Sequence, residues 1–137
     1  MTLSSKQIKE TSDYWKNTAE HDWGTVQALW KAKRYDACLF YCHLTMEKFL
    51  KGLVVLKSKD NSPFIHDLVE LAKRANLDLD EEKIKALAVF TSFNLRGRYA
   101  RDKFGFYELC TYKFTKPYFE QAKNIIVWLK KSYQKSK

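Results

Sequence analysis

The chain has 137 residues with 25 Lys and Arg against 16 Asp and Glu, a formal net charge of +9, and its length fits one ordinary domain over 1–137. No run approaches the roughly 18 apolar residues that a membrane span needs, and the opening MTLSSKQIKETSDYW has no apolar segment resembling a signal peptide, so a cytoplasmic protein without a membrane is expected. Cys38, Cys42 and Cys110 form no CxxC pair, which speaks against a disulfide framework or a zinc cluster; neither metal nor cofactor is expected.

Only Gly 4 and Pro 2 are available to punctuate turns, which favours long helices over many short strands. Ser4-Ser5-Lys6-Gln7 reads as a capping box, followed by Ile8, Trp15, Ala19, Trp23, Val26 and Leu29 at helical spacing. This helix is predicted to run to about Lys33. After a short connection at Arg34-Tyr35-Asp36, Ala37 to Lys57 is predicted helical. Leu39, Cys42, Met46, Phe49, Leu50, Leu53 and Leu56 fall on one stripe so wide that this helix should be central. A connection that short makes the first two helices antiparallel neighbours.

Lys59-Asp60-Asn61-Ser62-Pro63 is the clearest break. His66-Asp67-Leu68 reopens a helix ending near Asn76, with His66 expected as its cap. Asp80-Glu81-Glu82 places acidic groups at the positive end of a further helix, which continues through Ile84, Leu87, Ala88 and Thr91 and stops around Arg96-Gly97. Thr115-Lys116-Pro117 reads as the start of the last helix, Pro being suited to the first turn, and Tyr118, Ala122, Ile125, Ile126, Leu129 and Tyr133 trace its apolar face. The predicted fold is all-α, an up-and-down antiparallel bundle of four to five helices.

Between Asn94 and Tyr107 the chain reads NLRGRYARDKFGFY, interleaving Arg96, Arg98, Arg101 and Lys103 with Tyr99, Phe104, Phe106 and Tyr107. Arginines fork onto phosphates while aromatic faces stack on bases, so this stretch, read as a basic loop at 96–103, suits contact with nucleotide or RNA. A charged connection whose aromatics pack down on the bundle fits the same residues. The net charge is equally open: it draws polyanions, and it also serves as a solvated surface.

Several separated pieces resemble the HEPN family of small helical bundles, especially minimal members that travel with a nucleotidyltransferase partner. They are the tract from Ala19 through Asp22 to the Trp30 region, Tyr35-Asp36-Ala37, Glu47-Lys48-Phe49-Leu50-Lys51, His66-Asp67-Leu68 and Arg98-Tyr99-Ala100-Arg101-Asp102. The resemblance covers roughly Trp15 to Leu129 and implies a helical bundle that dimerises. Many members are metal-independent RNases using an Arg followed, after four to six residues, by a His. Such chemistry needs a group titrating near neutrality and a cation over the phosphate.

Here the histidine is missing. Counting from Arg98 it would fall at Lys103, Phe104 or Gly105, from Arg96 at Arg101, Asp102 or Lys103, and no histidine follows His66. The expected function is therefore a noncatalytic module engaging nucleotide, RNA or a nucleotidyltransferase. Its binding residues would be Arg96, Arg98, Tyr99, Arg101, Lys103, Lys48 and Lys51, with Glu47, Asp102 and His66 in support. The alternative is a toxin-like RNase of a toxin–antitoxin pair with an atypical site. Glu47 and Lys51 are spaced as a helical i,i+4 ion pair; a functional role would have Lys48 or Lys51 at a phosphate and Glu47 orienting Arg98. Trp15, Trp23, Trp30 and Trp128 exceed what a small bundle must hide, which points to a homodimer.

Overall fold

The computed structural model describes residues 2–98 and 100–135, with the side chains of 100–102 excepted. The described residues form six helices: α1 (Ser5–Lys31), α2 (Tyr35–Ser58), α3 (Leu68–Arg74), α4 (Glu81–Arg98), α5 (Ala100–Leu109) and α6 (Tyr112–Lys135). The four long ones make the expected bundle, and α3 and α5 are short additions.

The start of α1 is the capping box predicted from sequence: Ser4 Oγ accepts from Gln7 N at 3.1 Å, and Gln7 Oε1 accepts from Ser4 N at 2.9 Å. Helix α2 is the hub, packing against α1, α3, α4, α5 and α6. Leu39, Cys42, Met46, Phe49, Leu50 and Leu53 are all buried, and each buried Leu or Phe contributes about 1.5–3 kcal/mol. Cys38 and Cys42 are core residues; burial pushes the Cys42 thiol well up, with Cys38 beside it adding to the shift. Burial likewise pushes the Cys110 thiol up to about 12, helped by the negative charge of Asp36.

Three boundaries differ from the sequence reading. Asp67, not His66, caps α3, its Oδ1 accepting from Val69 N at 2.9 Å and Glu70 N at 3.2 Å; a carboxylate outcompetes an imidazole for those amides, and His66 turns elsewhere. The stretch read as a basic loop at 96–103 is instead the end of α4 and the start of α5. Helix α6 opens at Tyr112, where Thr111 Oγ1 accepts from Phe114 N at 3.2 Å, so Pro117 lies inside the helix rather than in its first turn. Pro117 cannot donate to the carbonyl four residues earlier. The buried flanking residues Thr115 and Phe119 hold the turn nonetheless.

Aromatic side chains knit the α4, α5 and α6 side to the hairpin. The Trp30 ring stacks on Phe119 at 4.4 Å between centroids, Trp23 stacks on the same phenyl at 6.2 Å, and Phe93 packs against Phe106, Phe114 and Tyr118. Trp23, Trp30 and Trp128 are thus packed against the core. The exposed aromatics are others: Tyr14, Phe64, Phe104, Tyr107 and Tyr112. No helix among the described residues is long and apolar enough to cross a membrane.

Candidate functional site

Two ion pairs hold the lysines in the middle of α2. Toward its middle, Lys48 Nζ reaches Asp22 Oδ2 on α1 at 2.6 Å, with Asp22 buried. One turn on, Lys51 Nζ lies 2.9 Å from Glu47 Oε2, and both side chains are under a tenth exposed. The Lys51 ammonium also sits 5.4 Å from the centre of the Trp15 ring, a favourable cation–π placement.

Glu47 is the centre of a larger cluster. Its Oε1 accepts from His66 Nδ1 at 3.1 Å, while His66's carbonyl accepts from His43 Nε2 at 2.8 Å. A carbonyl can only accept, so the His43 proton is on Nε2. His43 Nδ1 is left with a lone pair 3.8 Å from Glu47 Oε1 and no hydrogen-bond partner among the described residues. Burial holds the His43 ring below the usual imidazole range. The His66 carbonyl and the Glu47 charge oppose that shift, whereas His66 and the positive charge of Arg98 reinforce it. Arg98 therefore lies close enough to this cluster for its charge to be felt.

Arg98 is placed by the end of α4. At Gly97 that helix packs closely on α2: a Cβ there would lie 2.7 Å from Phe40 Cδ1, so the absence of a side chain at 97 permits the approach. Beside it opens a cavity of about 380 Å³ lined by Asp36, Ala37, Phe40, Gly97, Arg98, Lys103 and Phe106. A second, of about 390 Å³, shares Asp36 and Lys103 and is walled by Phe104 and Tyr107, whose exposed rings stack at 6.1 Å. Volumes of this size suit a nucleotide. A larger cavity of about 450 Å³ surrounds Trp128, Leu56 and Leu77 near the opposite end of α4, but it brings no arginine together with stackable rings.

Of the residues singled out from sequence, Arg98 and Lys103 share this cavity. Arg96 is half-buried and spends its guanidinium on the Phe106 ring, 5.3 Å from its centre. Lys48 and Lys51 are engaged by Asp22 and Glu47 on the bundle, and Glu47's oxygens go to Lys51 and His66 rather than orienting Arg98. Tyr99 and the side chains of Arg101 and Asp102 lie outside the described residues. Sequence reasoning missed Phe40 and Asp36 as cavity walls, because the contact of Gly97 with Phe40 joins residues far apart in the chain. It also missed Asn94, one turn before Arg98, which is buried with its Nδ2 unpartnered among the described residues.

A family model for the HEPN domain matches residues 12–133, nearly the whole chain. The chain belongs to the HEPN domain family. No curated protein and no solved structure matches it. As a HEPN domain it is read through its α4–α5 segment, where the resemblance implies an Arg followed by a His. The positions that would carry that His hold no imidazole, while Arg98 keeps its place on a cavity wall.

Proposed function

We propose that this HEPN domain is a binding module for nucleotide or RNA, held at the cavity bounded by Arg98, Lys103, Phe40 and Phe106. The observation that carries the reading is the pairing in one cavity of two cations with two phenyl rings. A guanidinium forks onto a phosphate, the Lys103 ammonium adds a point charge, and the half-buried Phe40 ring offers a stacking face worth about 1–3 kcal/mol per base, while Phe106 lines the cavity as a buried residue. Asp36, which also lines the cavity, is an acceptor for a base amine or ribose hydroxyl. Cleavage by the family's Arg–His arrangement has no imidazole on α5 to rely on, so the reading is binding without turnover through that motif.

The test is fluorescence anisotropy with a labelled single-stranded oligonucleotide. Arg98→Ala with Lys103→Ala is expected to weaken binding at least tenfold, each lost phosphate contact removing about 0.7 from the slope of log affinity on log salt. Unchanged affinity would overturn the reading. RNA incubated with the protein in chelator should stay intact if no other group supplies the acid or base of the toxin-like alternative.

A second reading concerns protein partners. Leu95, Phe104, Tyr107 and Leu109 are exposed on α4 and α5, apolar side chains suited to a second copy of the chain or to a nucleotidyltransferase. Sedimentation at micromolar concentration is expected to give a dimeric mass that Phe104→Ser with Tyr107→Ser reduces to a monomer; a monomeric wild type counts against the homodimer.

A further inference from the structure

The two cavities on the Arg98 side of the bundle are joined by two residues: Asp36, in the first turn of α2, and Lys103, on α5, line both. The first cavity holds Arg98 and the half-buried Phe40. The second has no arginine on its wall and is edged instead by Phe104 and Tyr107. Those two residues are 68% and 55% exposed, and their rings stack at 6.1 Å with 27° between the planes, so they present one apolar surface in the same cavity as a carboxylate. Neither an ion pair nor a hydrogen bond engages that Asp36 carboxylate among the described residues. It is fixed on a rigid element, because Cys38 and Leu39, which follow it in α2, are buried in the core.

A carboxylate repels a phosphate and can only accept hydrogen bonds, so its place in a nucleic-acid site is against a donor edge. The four bases differ in how their pairing edges set out donors. Thymine has one N–H between two carbonyls. Adenine and cytosine each have an amine next to a bare ring nitrogen, whose lone pair opposes a second carboxylate oxygen. Guanine alone sets two donors side by side, N1–H and the N2 amine, and these match the two oxygens of a carboxylate as a bidentate pair. Each cavity, at about 380 and 390 Å³, is of nucleotide size, so two neighbouring nucleotides of one strand have a place each.

We propose that the second cavity is a guanine subsite, in which the Asp36 carboxylate accepts from N1–H and the N2 amine while the base lies against the Phe104–Tyr107 pair. The inference rests on the binding reading above, which places a phosphate at Arg98 in the first cavity and leaves the adjoining nucleotide to the second. Lys103, common to both cavities, stands where the linking phosphate passes and offsets the repulsion between that phosphate and Asp36. The cations hold the backbone of any strand, and the carboxylate adds the choice of base. The ligand is then single-stranded nucleic acid with a guanine next to the phosphate that Arg98 holds.

The experiment is fluorescence anisotropy with labelled DNA decamers: thymine alone, thymine alternating with guanine, hypoxanthine or cytosine, and cytosine alternating with adenine. Wild type is expected to bind the guanine strand at least about threefold tighter than the thymine, cytosine and adenine strands. The hypoxanthine strand, which keeps N1–H and lacks the N2 amine, should fall between. Asp36→Asn should bring guanine level with thymine without weakening the all-thymine strand, whose binding shows that the variant is folded. Guanine bound no tighter than thymine by wild type, or a guanine preference that survives Asp36→Asn, overturns the subsite. So does an effect of Asp36→Asn that is equal for every base and confined to ribonucleotide strands, which assigns the carboxylate to the sugar. If Arg98→Ala with Lys103→Ala leaves the affinity for every strand intact, it is the binding reading that fails.

Discussion

The lysines of α2 and the cations of the α4–α5 segment carry the same charge in sequence and stand in opposite surroundings in space. Lys51 is buried and ion-paired to Glu47, and Lys48 is paired to a buried Asp22. Arg98 and Lys103 are exposed on the wall of a cavity, and neither has an ion pair among the described residues. A cation already desolvated against a carboxylate has little attraction left for a phosphate, whereas an exposed one releases counterions when a phosphate arrives. On the proposed reading, burial and partners, rather than a count of positive charges, separate structural lysines from binding ones.

The largest expected effect lies on the buried side. Lys51→Ala leaves Glu47 as a buried carboxylate supported by His66 alone, and breaking such a pair costs about 3 kcal/mol or more; urea denaturation should show it. The salt slope of oligonucleotide binding should not change, and a reduced slope would place Lys51 among the phosphate ligands and blur the comparison.

Next is Gly52, one residue along α2. A Cβ there would run into the Tyr133 hydroxyl, which is buried and donates to the Phe49 carbonyl at 2.6 Å. The hydroxyl cannot retreat without leaving that carbonyl unpaired. Gly52→Ala is expected to cost about 2 kcal/mol of stability through overpacking, again read by urea denaturation, with binding by the folded fraction unaltered. A neutral result would mean that Tyr133 has room the packing does not suggest.

A smaller effect sharpens the comparison by pH. The ring of His43 is held below the usual imidazole range by burial, so the folded chain resists the proton that the unfolded chain accepts. Its contribution to stability is full above the ordinary value of about 6.5 and is lost as pH falls through that value toward the folded one. The urea midpoint should fall across this window, and His43→Gln should shallow the fall. An equal slope in both proteins would assign the loss to other groups.

Much of the fold was legible because it rests on local patterns. The capping box at Ser4 and the broad apolar stripe of α2 are contained within a few turns, and both were read correctly. The end of α4, α5 and the start of α6 were not. Their apolar residues, Phe104, Phe106 and Tyr107, are interleaved with charges, and Pro117 mimics a helix start. Only the packing of Phe106, Phe114 and Tyr118 on Phe93 settles these turns. The site divides the same way: the Glu47–Lys51 spacing declared an ion pair, while Asp22 with Lys48 and His66 with Glu47 join residues 26 and 19 apart, which no helical period links.

The most direct test of the contrast is the salt dependence of oligothymidylate binding in three proteins: wild type, Arg98→Ala with Lys103→Ala, and Lys48→Ala. The slope of log affinity on log salt should fall by about 1.4 for the double variant, two contacts at about 0.7 each, and stay at the wild-type value for Lys48→Ala. Equal slopes in wild type and the double variant, or a reduced slope for Lys48→Ala, would contradict the assignment of binding to the α4–α5 cations and structure to the α2 lysines.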